Sequence, residues 1–126
     1  MNLLAVRESL QEASQGRPVS LIAVSKLQSV DSIKEAYELG QRDFGENYVQ
    51  ELIEKAATLK DSCPEIRWHF IGALQSNKIA QLIKNVANLK AIQTVDSLSK
   101  LEKIVKTVDD RSASTNLIDL FLQVPT

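Results

Sequence analysis

Residues 66–86 read IRWHFIGALQSNKIAQLIKNV, and the apolar period changes in the middle of that run. From Ile66 to Ile71 the residues are mostly β-branched, aromatic or apolar, which predicts a short buried strand. Ile79, Leu82, Ile83 and Val86 then recur at helical spacing and mark one face of a helix. Gly72 ends the strand, and Ser76 is the expected N-cap of the helix. A strand feeding a helix through a short loop is a βα unit.

Working outward, the same unit repeats. Toward the N-terminus, Val49, Leu52, Ile53 and Ala56 stripe a helix behind a strand around Arg42-Asp43-Phe44, with Asn47 as its expected N-cap. Before that, Val19–Val24 reads as a buried strand, followed by Val30, Ile33, Ala36 and Tyr37 at helical spacing. Ser32 with Glu35 fits a capping box, and Gly40 stands where a left-handed helix end belongs. Residues 2–15 predict an opening amphipathic helix, which Gly16 and Pro18 close. Toward the C-terminus, Ala91–Val95 predicts a strand, and Leu98, Leu101, Ile104, Val105 and Val108 predict a helix that Asp96 can cap. Residues 117–124 predict the last strand.

Strict alternation of strands and helices implies parallel strands joined by right-handed crossovers. The expected fold class is α/β: parallel βα units, either as part of a TIM-type (β/α)8 barrel or as an open doubly wound sheet. A closed barrel typically needs about 250 residues, and this chain has 126. The barrel reading therefore makes residues 1–126 the N-terminal half to five-eighths of one barrel domain.

Composition bounds the function. Apolar residues make up 44% and charged residues 25%, ordinary for a globular domain. Net charge is −1, with basic and acidic residues spread evenly, which argues against non-specific nucleic-acid binding. Aromatic content of 5% argues against a base-stacking platform. Cys63 is the single cysteine, so no disulfide forms within the chain. No apolar run approaches a membrane span, and charged residues interrupt the N-terminal segment. These features lead to the expectation of a cytoplasmic protein without membrane or nucleic-acid partners.

In parallel α/β folds, ligands gather where strands end and helices begin. Lys26 lies two residues beyond an apolar strand, where burial would favour the neutral amine that attacks an aldehyde. On position alone it also reads as one of ten lysines, most of them solvated. Asn47 reads as a helix cap or as a ligand to a phenolic or carbonyl oxygen, and Glu46 as a carboxylate partner or a first-turn acid. His69 shares a strand face with Arg67 and Ile71, while Trp68 and Phe70 share the other. Lacking a second histidine or paired cysteines, His69 does not make a metal site.

Four segments in register carry a resemblance. Ala23-Val24-Ser25-Lys26, Phe44-Gly45-Glu46-Asn47-Tyr48-Val49-Gln50-Glu51, Trp68-His69-Phe70-Ile71-Gly72 with Leu74-Gln75-Ser76-Asn77-Lys78, and Thr94-Val95-Asp96-Ser97 resemble the pyridoxal phosphate homeostasis protein family. That resemblance implies an alanine-racemase-type barrel holding pyridoxal 5′-phosphate as a Schiff base on Lys26, with Asn47 and His69 near the cofactor. It also implies a carrier without established catalytic activity, whose partners are the cofactor and PLP-dependent apoenzymes. Gln28-Ser29 stands where many members have Lys-Pro. The family continues beyond the Leu-Gln-Val strand into loops that cradle the phosphate, whereas here the sequence ends at Val124-Pro125-Thr126. Two other readings stay open: a racemase-like PLP enzyme, and a cofactor-poor half-barrel that self-associates through the Leu-rich edge of residues 117–124.

Overall fold

Five parallel strands lie side by side in chain order in the computed structural model, which describes residues 3–110 and 117–123. The elements run α1 (Leu3–Ser14), β1 (Ala23–Val24), α2 (Val30–Glu38), β2 (Asp43–Glu46), α3 (Val49–Leu59) and β3 (Arg67–Phe70). A 3-10 turn (Ser76–Lys78), α4 (Ile79–Asn85), β4 (Leu89–Val95), α5 (Leu98–Asp110) and β5 (Asp119–Leu122) follow. Register advances without reversal: Ala23 opposes Phe44, Phe44 opposes Trp68, Phe70 opposes Ile92, and Ile92 opposes Leu120. A doubly wound sheet reverses its strand order at a switch point. This one does not, so the parallel α/β expectation holds and the doubly wound alternative does not describe these strands.

The core lies between the sheet and the helices. Phe44, Trp68, Phe70, Ile92 and Val95 meet Leu52, Leu59, Ile79, Leu82, Ile83 and Ile104 there, all buried. The rings of Phe44 and Trp68 sit 6.0 Å apart and tilted by 50°, a geometry that aromatic quadrupoles favour. The opposite face of the sheet carries Asp43, Gly45, Arg67, His69 and Gln93. The predicted alternation of Arg67 and His69 against Trp68 and Phe70 is thus met.

Helix ends explain several boundaries. Gly40 takes a φ of +102°, its N–H donates to the Tyr37 carbonyl at 2.9 Å, and the Gln41 N–H reaches the Ala36 carbonyl at 3.1 Å. This is the double bond pattern of a Schellman ending, and Gly40 supplies the left-handed residue it needs. At the other end of α2 the cap is Ser29 rather than Ser32: the Ser29 hydroxyl accepts the Ser32 N–H at 3.1 Å. The helix therefore starts one turn before the expected capping box. On α5, Ser97 rather than Asp96 takes the Lys100 N–H, at 3.3 Å, while Asp96 pairs with the Lys100 ammonium at 3.0 Å.

Residues 19–24 do not form the buried strand that their apolar run predicts. Only Ala23 and Val24 pair, on one side, and Val19 and Val24 are exposed. Position explains this. β1 is an edge strand, and the Gln41 amide takes the Leu21 carbonyl at 2.7 Å in place of a ladder bond. At the far edge β5 spans Asp119–Leu122, shorter than the predicted 117–124, and Val124 lies outside the described residues.

Candidate functional site

Lys26 sits in a tight turn immediately beyond β1. The Gln28 N–H closes the turn on the Ser25 carbonyl at 3.0 Å, and Leu27 occupies the left-handed region at φ +61°. A positive φ at the third residue is the type II pattern, normally given to Gly or Asn. Lys26 is exposed, not buried as the sequence position suggested, because its strand lies at the edge of the sheet with a paired neighbour on one side only.

The residues on either side of Lys26 are anchored. The Ser25 N–H donates to the Gly45 carbonyl at 2.9 Å, and the Ser25 hydroxyl donates to Glu46 Oε2. The Leu27 N–H donates to Glu51 Oε1 at 2.6 Å. Both anchors lead to Lys55, whose ammonium lies 2.7 Å from the Ser25 carbonyl, 3.0 Å from Glu46 Oε2 and 2.6 Å from Glu51 Oε1. Ser25, Glu46 and Lys55 are all buried. Burial pushes the Glu46 carboxyl up from its ordinary range, against the pull of the Ser25 hydroxyl and the Lys55 ammonium. Glu51 moves the other way, held down chiefly by its hydrogen bond from Lys55 and also by the Leu27 N–H. Glu46 is therefore a buried carboxylate partner as well as part of a strand end.

Asn47 follows β2. It is not the cap of α3: that position belongs to Tyr48, which makes no side-chain cap bond. Asn47 instead presses its backbone against Gly72, where an added Cβ would lie 2.1 Å from the Asn47 carbonyl oxygen. The Thr94 hydroxyl donates to the Gly72 carbonyl, tying the ends of β3 and β4 to the same point. Asn47 Oδ1 is buried and has no hydrogen-bond partner among the described residues. Buried polar atoms are nearly always paired, so this oxygen stands out among the described residues.

His69 lies further back on the face opposite Trp68 and Phe70. Its Nε2 is 2.9 Å from Asp43 Oδ1 and its Nδ1 is 3.2 Å from Gln93 Nε2. Arg67 completes the group with two bonds of 2.9 Å to the Asp43 carboxylate. Burial alone would raise the Asp43 carboxyl, but Arg67 and His69 together bring it below its ordinary range. Both ring nitrogens of His69 thus face protein groups, while Lys26 and Asn47 stand at the C-terminal ends of neighbouring strands. Among the described residues no cluster of three or more metal-ligating side chains occurs, and no helix is long and apolar enough to cross a membrane.

Sequence reading missed Lys55. The signal was present: Leu52, Lys55 and Leu59 form the buried stripe of α3, so a charged residue falls on an apolar face. Glu51 four residues before it is the matching carboxylate.

A singly wound parallel α/β sheet with an anchored lysine turn and an unpaired amide oxygen at its strand ends defines a protein of the parallel βα class, in which ligands gather at the strand ends. The particular family follows from comparison with known proteins. The chain is 43% identical over 133 aligned residues to the pyridoxal phosphate homeostasis protein of Bos taurus, covering 98% of this chain and 48% of the relative. It is 40% identical to the protein of that name from Schizosaccharomyces pombe, covering 96% and 48%. PipY of Synechococcus elongatus PCC7942, solved with PLP bound, superposes with a TM-score of 0.70 at 40% identity, over 83% of this chain and 49% of PipY. PipY without PLP gives 0.72 at 38%, over 88% and 50%. No protein-family model matches the chain. The chain belongs to the pyridoxal phosphate homeostasis protein family and spans about half the length of the curated relatives it matches.

Proposed function

We propose that this chain takes part in intracellular pyridoxal 5′-phosphate homeostasis, holding the cofactor as a Schiff base on Lys26. The observation that carries this reading is the pairing of an exposed, anchored Lys26 with the unpartnered Asn47 oxygen at adjacent strand ends. PipY, similar over most of this chain, has been solved with PLP bound, which supports the same reading.

The described residues fit the aldehyde end of the cofactor. Lys26 would hold the group covalently at its aldehyde, the amine nitrogen replacing the carbonyl oxygen, which would leave as water with the two amine protons. When bound, the cofactor supplies an electron sink. Asn47 would orient the ring through a phenolic oxygen, which an amide group meets as donor or acceptor according to how it is turned. His69, engaged by Asp43 and Gln93, contributes by stiffening the inner wall rather than by contact. Residues 1–126 then form the N-terminal portion of one (β/α)8-type barrel domain in the cytoplasm. The chain is a carrier, not a catalyst, with PLP-dependent apoenzymes as recipients.

Incubation with pyridoxal 5′-phosphate, borohydride reduction and peptide mapping test this. A single adduct at Lys26, absent in Lys26→Ala, is the expected result. Labelling scattered over surface lysines would overturn it. Steady turnover of an amino acid, lost in Lys26→Ala, would replace the carrier by an enzyme.

A further inference from the structure

We infer that Lys55 and Glu51 are positioning residues for Lys26, acting as a clamp that holds its turn in the conformation that presents the amine. This inference rests on Lys26 being the cofactor lysine.

The argument begins with Leu27. A leucine at φ +61° occupies a region that a Cβ disfavours by about 1–2 kcal/mol. Nothing apolar compensates, because the Leu27 side chain is 78% exposed. What compensates is the backbone N–H, which Glu51 Oε1 accepts at 2.6 Å. Glu51 belongs to α3, a different element, and is itself held by Lys55. The same ammonium takes the Ser25 carbonyl on the other side of Lys26 at 2.7 Å. One buried cation therefore grips the residue before Lys26 directly and the residue after it through Glu51.

Burying an ammonium is costly unless its hydrogen bonds are met. Lys55 meets them with two carboxylates and one carbonyl, all close to the turn. A packing role alone would be filled by Met or Leu at that position of the apolar stripe. The charge has a use here because it links α3 to the backbone flanking Lys26. Without the clamp, the strained φ relaxes and the amine samples directions away from the Asn47 end of β2.

The test measures the rate at which pyridoxal 5′-phosphate forms the reducible adduct at Lys26, with amide hydrogen exchange at Leu27 read in parallel. Lys55→Met leaves the buried Glu46 carboxylate without its cation, with the Ser25 hydroxyl still donating to it, and is prone to misfold, so the principal variant is Glu51→Ala in the partly exposed first turn of α3. Glu51→Ala is expected to lose protection at the Leu27 amide and to slow the adduct about tenfold, the size of the left-handed penalty. Glu51→Gln keeps an acceptor oxygen and is expected to stay within about threefold of the parent chain. Leu27→Gly removes the penalty, so the Glu51→Ala/Leu27→Gly pair is expected to recover most of the rate. A purely structural role for Glu51 would give no such recovery. A normal Lys26 adduct rate in Glu51→Ala, or no recovery in the pair, overturns the clamp and leaves Lys26 as the cofactor lysine. If the parent chain forms no specific Lys26 adduct, the cofactor reading falls and takes the clamp's role with it.

Discussion

The backbone of Asn47 touches Gly72 so closely that a methyl group on Gly72 would stand 2.1 Å from the Asn47 carbonyl oxygen. No flexible side chain is available to yield, since the obstructing atoms are all backbone. Gly72→Ala must push the ends of β2 and β3 apart, at a cost of about 3 kcal/mol. The expected outcome is a lower urea midpoint together with a loss of the Lys26 adduct larger than the stability change explains. Unfolding curves and adduct yield at low denaturant check both. An unchanged midpoint would show that the two backbones separate freely.

Asn47→Ala is expected to do the opposite to stability. It removes an acceptor that has no partner among the described residues, so the free chain should keep its midpoint or gain slightly. Cofactor retention should fall about tenfold, the ordinary worth of one buried hydrogen bond near a charged group. Absorbance titration with pyridoxal 5′-phosphate beside a thermal melt separates the effects. A large loss of stability without a change in retention would make Asn47 a structural residue.

The succession of strands and helices and the faces of β3 were legible because period two and period 3.6 alternate along the chain. The order of strands in the sheet stayed open between a barrel and a doubly wound arrangement. Gly40 was legible for a local reason, since a left-handed helix end has few alternatives to glycine. The extent of β1 was not. Its apolar run is the same whether the strand is central or at an edge, and only the tertiary partner, Gln41 taking the Leu21 carbonyl, decides how much of it pairs. Asn47 misled for a similar reason: its type suits a cap, yet α3 starts two residues later and the Asn47 Oδ1 atom has no partner among the described residues. Lys26 was singled out by strand position and motif, and its burial was misjudged from the same edge effect. Lys55 needed long-range knowledge, because its partner Ser25 lies 30 residues away.

Acid should weaken the inner face of the sheet. The Asp43 carboxyl is held below its ordinary value of about 3.9, so its stabilising contribution is complete above that value. It is lost as pH falls through the lower, folded value. Asp43→Asn is therefore expected to cost about 1 kcal/mol at pH 6, a modest figure because Arg67 is half exposed. The difference from the parent should shrink toward pH 3. Glu46 runs with the other sign: its raised carboxyl favours the fold below the ordinary glutamate value and loses that advantage as pH rises through the folded one. Urea midpoints for both chains between pH 3 and pH 7 test the sign, and a gap that widens on acidification would refute it.

The β5 edge supplies the remaining expectation. Phe121 and Leu122 are exposed at 52% and 59%, on a strand that pairs only with β4 among the described residues. An unpaired edge with apolar side chains is a template for another chain, and natural sheets guard such edges with charge. Asp119 is the charge present, and the Lys90 ammonium lies 3.2 Å from it, which leaves little net repulsion. Self-association through this edge should therefore appear as a mass that grows with concentration in sedimentation equilibrium. Phe121→Lys with Leu122→Lys places two like charges on each approaching edge and is expected to weaken association at least tenfold, or about 1.4 kcal/mol. Because both side chains are already solvated, the substitutions should leave the melting temperature of the chain nearly unchanged. Equal association in the double variant would move the contact elsewhere, with the β1 edge at Val24 the next surface to charge.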